Sequence, residues 1–175
     1  MKKDINDMSE EQQIKRIRKN PLSISDIKNP SEAVQLEAVK INGNALQYIK
    51  NPSEAVQMAA IDNYVINIAF IDKSTEAVQL KAVMKFVDAI KYIKNPSIKV
   101  QIEAVKRYGG AIKFIDNPTE EVQLEAVRDD GFAIQYIKNP SIKVQIEAVK
   151  QNKYAIKEIN NPCEEAKILA KIMAV

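Results

Sequence analysis

The sequence predicts an all-α fold, a curved α-solenoid in which short two-helix repeats stack side by side. The first observation is a proline at spacings of 22 residues or twice 22 residues: Pro30, Pro52, Pro96, Pro118, Pro140 and Pro162. The second is a consensus that keeps the same spacing, Asn-Pro-Ser-Glu-Ala-Val-Gln-Leu-Glu-Ala-Val-Lys, in which helix formers dominate. Internal repeats of about 20 to 50 residues are typical of stacked architectures.

The repeat frame also predicts the domain organisation, which is a single solenoid domain over residues 1–175. Six repeats occupy residues 29–160, and a C-terminal half repeat occupies 161–175. A degenerate copy at 7–28 keeps Ser9-Glu10, Gln13 and Ile24 in register. We interpret it as a capping repeat, because terminal repeats diverge where one face meets water.

The first helix of each repeat is predicted to begin at the Asn-Pro pair. Asn is the expected N-cap, Pro the first helical residue, and a Glu such as Glu54 completes the first turn. The helix should run about eleven residues and end near Asn42-Gly43, because both residue types tolerate the left-handed conformation of a helix end.

The second helix is predicted to be shorter, from about Asn44 to Lys50, and to end before the next Pro. The apolar positions of both helices lie on broad arcs that a single repeat cannot bury but stacked repeats can. The predicted core positions of one repeat are Val34, Leu36, Ala38, Val39, Ala45, Leu46 and Ile49, with Tyr48 at the margin.

Composition limits the compartment and the chemistry. The formal charge is +3, no apolar run reaches the length of a membrane span, and there is one cysteine, so we predict a cytoplasmic protein. With no histidine and one cysteine, zinc sites and Ser-His or Cys-His nucleophiles cannot be assembled. Cys163 occupies a position that holds Ser or Thr in other repeats. We therefore predict no catalytic residues, no metal and no cofactor.

The repeat resembles known helical repeats. The run Asn29-Pro30-Ser31-Glu32 followed by Val34-Gln35-Leu36-Glu37-Ala38-Val39 resembles HEAT-type and leucine-rich-variant repeats. Residues 38–48 also resemble an uncharacterised bacterial and viral repeat family with the core A-V-K-x-N-G-x-A-L-x-Y. The resemblance implies a curved solenoid with a binding role. This chain departs from HEAT repeats in its shorter period and in having Gln where Arg is usual.

A glutamine stands at one position of every full repeat, inside the predicted apolar arc. A buried amide without a hydrogen bond costs about 1–3 kcal/mol. We predict a structural ladder in which each amide bonds an adjacent repeat, although a polar track for a ligand is the alternative. The residues are Gln35, Gln57, Gln79, Gln101, Gln123 and Gln145.

Aromatic residues replace the usual Asn at one position of three consecutive repeats. Tyr64, Phe86 and Tyr108 stand where Asn42 and Asn152 stand elsewhere, and Met84 and Arg107 are their neighbours in the chain. Aromatic, Met and Arg side chains are enriched at interface hot spots. We predict that these five residues bind a protein partner. The alternative is that the aromatic rings fill a corner between helices.

Lysines of the second helices form an alternative basic face for nucleic acid: Lys50, Lys91, Lys94, Lys113, Lys138 and Lys157. Two positions alternate in charge along the repeats, one of them as Lys99, Glu121, Lys143 and Glu165. Ion pairs between repeats are the simpler interpretation of that alternation. An aromatic row that includes Tyr48, Phe70 and Tyr136 is predicted to pack between repeats rather than to stack on bases.

The C-terminal helix has apolar residues at positions that are polar elsewhere, Leu169 and Ile172. They predict self-association or a cap that folds back. Three functional hypotheses follow for the chain as a whole. The first is a non-catalytic protein-binding scaffold, and the second is a nucleic-acid binder. The third is a phage-type inhibitor of a host factor that acts by protein contact, which rests on the viral side of the family resemblance.

Overall fold

The computed structural model describes residues 4–174, and over this range the chain is all-helical, without a β-strand. The α-helices are α1 Glu10–Lys19, α2 Glu32–Ile41, α3 Glu54–Asn63, α4 Glu76–Lys85, α5 Ile98–Arg107, α6 Glu120–Asp129, α7 Ile142–Gln151 and α8 Glu164–Ile172. The 3-10 helices are Ile5–Asp7, Pro21–Asp26, Gly43–Tyr48, Val65–Phe70, Val87–Tyr92, Gly109–Phe114, Gly131–Tyr136 and Lys153–Glu158.

The second helix of the repeat is a 3-10 helix. Its six residues between Asn42 and Ile49 close with an i to i+3 bond, from the Ile49 N–H to the Leu46 carbonyl at 3.0 Å. Short helical segments favour this tighter form. Ile49 then adopts an extended conformation at a φ of −99°, which leads into the next Asn-Pro turn.

The predicted start of the first helix is wrong by two residues. In α3 the N-cap is Ser53, whose hydroxyl accepts a hydrogen bond from the Val56 N–H at 3.3 Å. Asn51 instead adopts a left-handed conformation with a φ of 50°. The Asn-Pro pair therefore forms the turn before the helix, and the Ser or Thr that follows caps it.

The predicted left-handed end of the first helix is also wrong. Asn42 is extended, with a φ of −142°, and no glycine of residues 4–174 has a positive φ. The Asn42 side chain instead accepts a hydrogen bond from the Asn44 N–H at 3.0 Å, and so caps the 3-10 helix. Asn42 thus caps the start of the second helix and does not end the first helix in a left-handed conformation.

The chain divides into two compact units, Met1–Lys85 with Tyr92–Lys94, and Phe86–Lys91 with Asn95–Val175. In the first unit the helices α1 to α4 pack in chain order, and their 3-10 helices pack in a second row. In the second unit α5 to α8 pack in the same way, beside their own row of 3-10 helices. Each unit thus has an α layer and a 3-10 layer.

Polar side chains link successive repeats inside each unit. Asn63 accepts a hydrogen bond from the Gly43 N–H at 2.9 Å and donates one to the Lys40 carbonyl at 3.0 Å. Gln151 repeats this in the second unit, where it accepts from the Gly131 N–H at 2.8 Å. These amides satisfy backbone groups at the corner between α-helix and 3-10 helix, which would otherwise lack partners.

The core lies between the two layers, and most of the predicted core positions are buried. Val34, Ala38 and Val39 of α2 are fully buried, as are Ala45 and Leu46 of the following 3-10 helix, while Leu36 is half-buried. The small Ala side chains let the two layers approach closely. In residues 4–174, no helix has both the length and the apolar character needed to cross a bilayer.

Candidate partner-binding site

The predicted binding residues lie at the corner where each α-helix gives way to its 3-10 helix. In most repeats a polar side chain caps the 3-10 helix there. Asn42, Asp130 and Asn152 each accept a hydrogen bond from the N–H two residues ahead, at 2.9–3.0 Å. This cap satisfies one of the free amide groups at the helix start.

Tyr64 and Tyr108 occupy the same corner without capping it. Their φ angles of −152° and −159° match those of the capping Asn residues, but neither side chain accepts a hydrogen bond from the helix. Tyr64 is 54% exposed and Tyr108 is 44% exposed. Each Tyr therefore lacks the capping hydrogen bond of the Asn residues, and its ring is only partly buried at the corner.

The other three predicted residues are also at the surface. Phe86 and Met84 are 45% and 56% exposed, and the Arg107 side chain makes a loose ion pair with Glu103 at 3.9 Å. Tyr64 and Met84 belong to the first unit, whereas Phe86, Arg107 and Tyr108 belong to the second. Each unit thus presents its own exposed aromatic corner.

Exposed apolar residues at the same corner extend this surface beyond the predicted set. Ile41 and Leu22 are exposed in the first unit, and Tyr154 is exposed in the second. Sequence reasoning missed them because each stands one or two positions away from the Tyr64 position. A comparison of apolar residues across all corner positions, rather than at one position, would have found them.

Gly110 shapes the Tyr108 corner. A Cβ atom on Gly110 would lie 2.6 Å from Cζ of Tyr108, so the Tyr108 ring rests directly on the glycine backbone. The absence of a side chain at Gly110 leaves room for the ring at the start of the 3-10 helix. The ring orientation in the second unit therefore depends on a glycine two residues away.

Several lysines of the basic face contact carboxylates or aromatic rings of the chain itself. Lys94 forms an ion pair with Asp72, which lowers the pKa of the Asp72 carboxyl below its usual value, first through the hydrogen bond and then through charge. Lys113 lies 4.8 Å from the centre of the Phe114 ring, and Lys157 lies 5.6 Å from that of Tyr154. Lys91 contacts Asp88 at 3.9 Å, while Lys50 and Lys138 line surface crevices.

The aromatic row of the 3-10 helices is more exposed than expected. Tyr48, Phe70 and Tyr136 are exposed, whereas Tyr92 and Phe114 are half-buried. In the second unit Tyr136 lines a crevice of about 430 Å³ together with Lys113 and Lys138. The expectation that this row packs between repeats is thus correct for only part of it.

The Gln residues bond within their own repeat. Each side-chain amide donates to the carbonyl five residues earlier, at 2.8–3.3 Å, in Gln35, Gln57, Gln79, Gln101, Gln123 and Gln145. The acceptor is the carbonyl of the Pro before the N-cap, or of Ser74. The expected bond to an adjacent repeat occurs at Gln145, whose Oε1 accepts from the Cys163 N–H at 2.8 Å.

One ion pair between repeats, Lys94 with Asp72, forms at the predicted spacing of one full repeat, and others form at a shorter spacing. Arg18 pairs with Glu37 at 2.7 Å, Lys81 with Asp62 at 2.6 Å, and Arg128 with Glu147 at 3.2 Å. By contrast, Glu121 and Lys143 form no ion pair within residues 4–174. These two residues keep the predicted alternation of charge, but neither of them pairs with an opposite charge among residues 4–174.

The C-terminal helix α8 exposes an apolar face. Ile168 and Ile172 are exposed and Leu169 is half-buried. Cys163 is its N-cap, is half-buried and makes no side-chain capping bond. Across residues 4–174, no three acidic, Cys or His side chains converge in a way that could hold a metal ion.

Comparison with protein-family models, with curated proteins and with solved structures found no match to this chain. The resemblance to HEAT-like and leucine-rich-variant repeats stays a prediction, as does the phage-type inhibitor role inferred from it. We therefore infer function from the geometry of the chain.

Proposed function

We propose that the chain is an α-solenoid of 22-residue repeats that binds a protein partner and has no catalytic role. The regular spacing of α2 to α8 and the chain-order packing of α-helices inside each unit support the solenoid. In such arrays each repeat contacts only its neighbours, which leaves long surfaces open to partners.

Small-angle X-ray scattering tests the solenoid. A compact globule of this length has a radius of gyration of about 16 Å. A stack of eight α-helices spaced by about 8–10 Å would be on the order of 70 Å long, and its radius of gyration would be clearly larger. A value near that of the compact globule would contradict the proposed shape.

The observation that carries the binding proposal is the pair of uncapped corners at Tyr64 and Tyr108. A Tyr at this position gives up a hydrogen bond and holds an aromatic ring in water. A residue that gives up a local stabilising interaction, with no compensating contact inside the chain, is expected at a functional site. Exposed aromatic side chains provide the contact area that interface hot spots use, and exposed Met84 in the first unit and Arg107 in the second add residue types enriched there.

A capture experiment tests the binding proposal. Wild-type chain and a Tyr64→Asn/Phe86→Asn/Tyr108→Asn variant are each used to capture partners from a lysate of the source cell. The Asn side chains restore the capping residue of other repeats, so the variant should stay folded by circular dichroism. We expect a protein that the wild type captures and the triple variant does not.

A matched control is Tyr136→Asn, which removes one exposed aromatic ring from the 3-10 row but leaves the corner intact. This variant should capture the same partner as the wild type. Equal capture by the wild type and the triple variant would show that the corner does not bind. Loss of capture with the control alone would move the site to the 3-10 row.

Nucleic acid is the second candidate, and the exposed aromatic row favours it. Tyr136 lies in a crevice beside Lys113 and Lys138, which would pair a stacking surface with positive charge. The contacts of Lys94, Lys91 and Lys113 within the chain weaken this candidate. Binding of a labelled single-stranded oligonucleotide that falls steeply with salt and is lost in Lys113→Ala/Lys138→Ala would support it.

A further inference from the structure

The turns that lead into α6 and α7 carry opposite charge in the second unit. The acidic turn consists of Asp116, Glu120 and Glu121, and the basic turn consists of Lys138 and Lys143. All five side chains are exposed. The two turns lie one repeat apart, and α6 packs directly against α7. A negative and a positive surface therefore stand side by side along one edge of the unit.

The start of α7 matches that of α5, where Ile98 and Lys99 stand, and differs from the acidic start of α6. Ile142 and Lys143 fill the first two helical positions, so the first turn has no acidic residue, whereas α6 has Glu120 and Glu121 there. A cation near a helix N-terminus is electrostatically unfavourable. Ile142 is also 54% exposed. The helix N-terminus does not favour the Lys143 charge, and water does not favour the exposed Ile142 side chain, so a surface outside the chain would suit both residues.

These charges are not used inside the described part of the chain. Glu121, Lys143, Asp116 and Lys138 make no ion pair with any residue of 4–174. Glu120 accepts a hydrogen bond from the Ser141 hydroxyl at 2.5 Å, which holds the two turns next to each other. The two turns thus keep a fixed spacing while four of their five charged groups remain free for a partner.

We propose that this edge of the second unit binds the same edge of a second copy of the chain about a two-fold axis. A two-fold contact places the same surface on both sides, so the acidic turn of one copy meets the basic turn of the other, twice. Lys99 of α5 and Glu165 of α8 continue the alternation outward.

A second copy fits this edge because the edge complements itself. A purely acidic or purely basic partner would match one turn and be repelled by the other. The contact also covers Ile142 on both copies, which supplies apolar area. Exposed ion pairs are individually weak and are screened by salt, so the dimer is expected to be weak and to dissociate as ionic strength rises.

Sedimentation velocity with two charge reversals tests the proposal. At low ionic strength the wild type is expected to form a dimer as its concentration rises. Lys143→Glu and Glu121→Lys should each weaken the dimer at least about tenfold, because each places like charges face to face. An equimolar mixture of the two variants should dimerise again, because in a mixed dimer the two acidic side chains of one variant face the two basic side chains of the other.

The controls separate this contact from misfolding and from the effect of a charge reversal elsewhere on the surface. Lys40→Glu reverses an exposed charge in the first unit and should leave the dimer unchanged. Circular dichroism should show that all variants are folded. A wild type that stays monomeric at every concentration overturns the proposal, and so does a dimer that both single reversals leave intact. A mixture that fails to recover the dimer also overturns it.

The test is independent of the proposed partner site. The corner residues lie at the C-terminal ends of the α-helices, about 15 Å from the turns at the N-terminal ends. Capture of a partner through Tyr108 and dimerisation through Lys143 can therefore each fail without the other. A dimer lost on Ile172→Lys but kept in both charge reversals would move self-association to α8 and overturn this assignment.

Discussion

The position held by Tyr64 and Tyr108 shows how one residue type changes what a repeat can do. Where Asn42 or Asn152 stands, the side chain caps the 3-10 helix and points back into the chain. Where Tyr stands, the backbone keeps almost the same angles and the ring remains exposed. The exchange gives up local stability and gains contact surface.

Tyr64→Asn should therefore stabilise the protein. The new side chain restores a cap, which is typically worth about 1 kcal/mol, at a backbone geometry that already suits it. The reverse change, Asn152→Tyr, should destabilise by a similar amount. Urea denaturation followed by circular dichroism measures both. A destabilised Tyr64→Asn variant would show that the ring packs within the chain.

The left-handed Asn residues before the prolines give a second prediction at this scale. Asn117 has a φ of 49°, a region that is unfavourable for residues with a Cβ other than Asn or Asp. Asn117→Ala should reduce the free energy of unfolding by about 1–2 kcal/mol, whereas Asn117→Gly should cost less. Thermal or urea denaturation of the pair separates backbone strain from loss of the side chain. Equal losses would point to the side chain.

At the scale of the element, the corner between the two helices is held by close backbone approach. A Cβ on Gly109 would lie 2.5 Å from the Ala126 carbonyl oxygen of the next repeat. At Gly110 the nearest atoms belong instead to the movable Tyr108 ring. The two neighbouring glycines therefore serve different purposes, one for packing between repeats and one for the placement of a ring.

Gly109→Ala should destabilise the protein by about 1–3 kcal/mol, because the Cβ meets backbone that cannot move away freely. Gly110→Ala should cost less, because the Tyr108 ring can swing aside. Chemical denaturation compares the two variants. If Gly110→Ala were the more damaging, the Tyr108 ring would be fixed by packing and not merely resting on the surface.

The Gln residues of different repeats differ in their hydrogen bonds, so their replacement should change stability by different amounts. Gln145 bonds both the Pro140 carbonyl and the Cys163 N–H, whereas the buried Oε1 of Gln57 has no hydrogen-bond partner among residues 4–174. Gln145→Leu should therefore cost about 1 kcal/mol more than Gln57→Leu. Denaturant midpoints of the two variants give the difference. Equal values would mean that the Cys163 bond contributes nothing to stability.

At the scale of the whole molecule, burial is uneven along the chain. In α1 the buried residue is Ile17 and in α8 it is Ala166, while α7 buries Val144, Gln145, Ala148 and Val149. Elements with few buried contacts open more readily. The polar character of α1 and the apolar exposed face of α8 further distinguish these two helices from the others.

Amide hydrogen exchange should follow this pattern. The amides of α1 and α8 are expected to exchange faster than those of α2 to α7, as measured by mass spectrometry on peptic peptides. Protection of α8 as strong as that of α7 would contradict the expectation. In that case a cover over Ile168 and Ile172 would have to be present in solution.

Much of the architecture could be predicted from periodicity. The 22-residue spacing predicts how often the helices recur, and the apolar positions of α2 predict its buried face, because both depend on local propensity and side-chain period. The errors occurred at helix ends. Asn51 and Ser53, on either side of Pro52, are both residue types that favour the N-cap position. The sequence alone does not show which of the two caps the helix.

The candidate site was only partly predictable, for a different physical reason. The replacement of Asn by Tyr64 and Tyr108 is visible in the chain, but whether an aromatic side chain is buried depends on the repeats around it. The same holds for Tyr48 and Tyr136, which sequence reasoning placed between repeats. Secondary structure follows from short-range preference and period. Exposure, hydrogen-bond partners and the unpaired charges of Glu121 and Lys143 arise only when neighbouring repeats pack together.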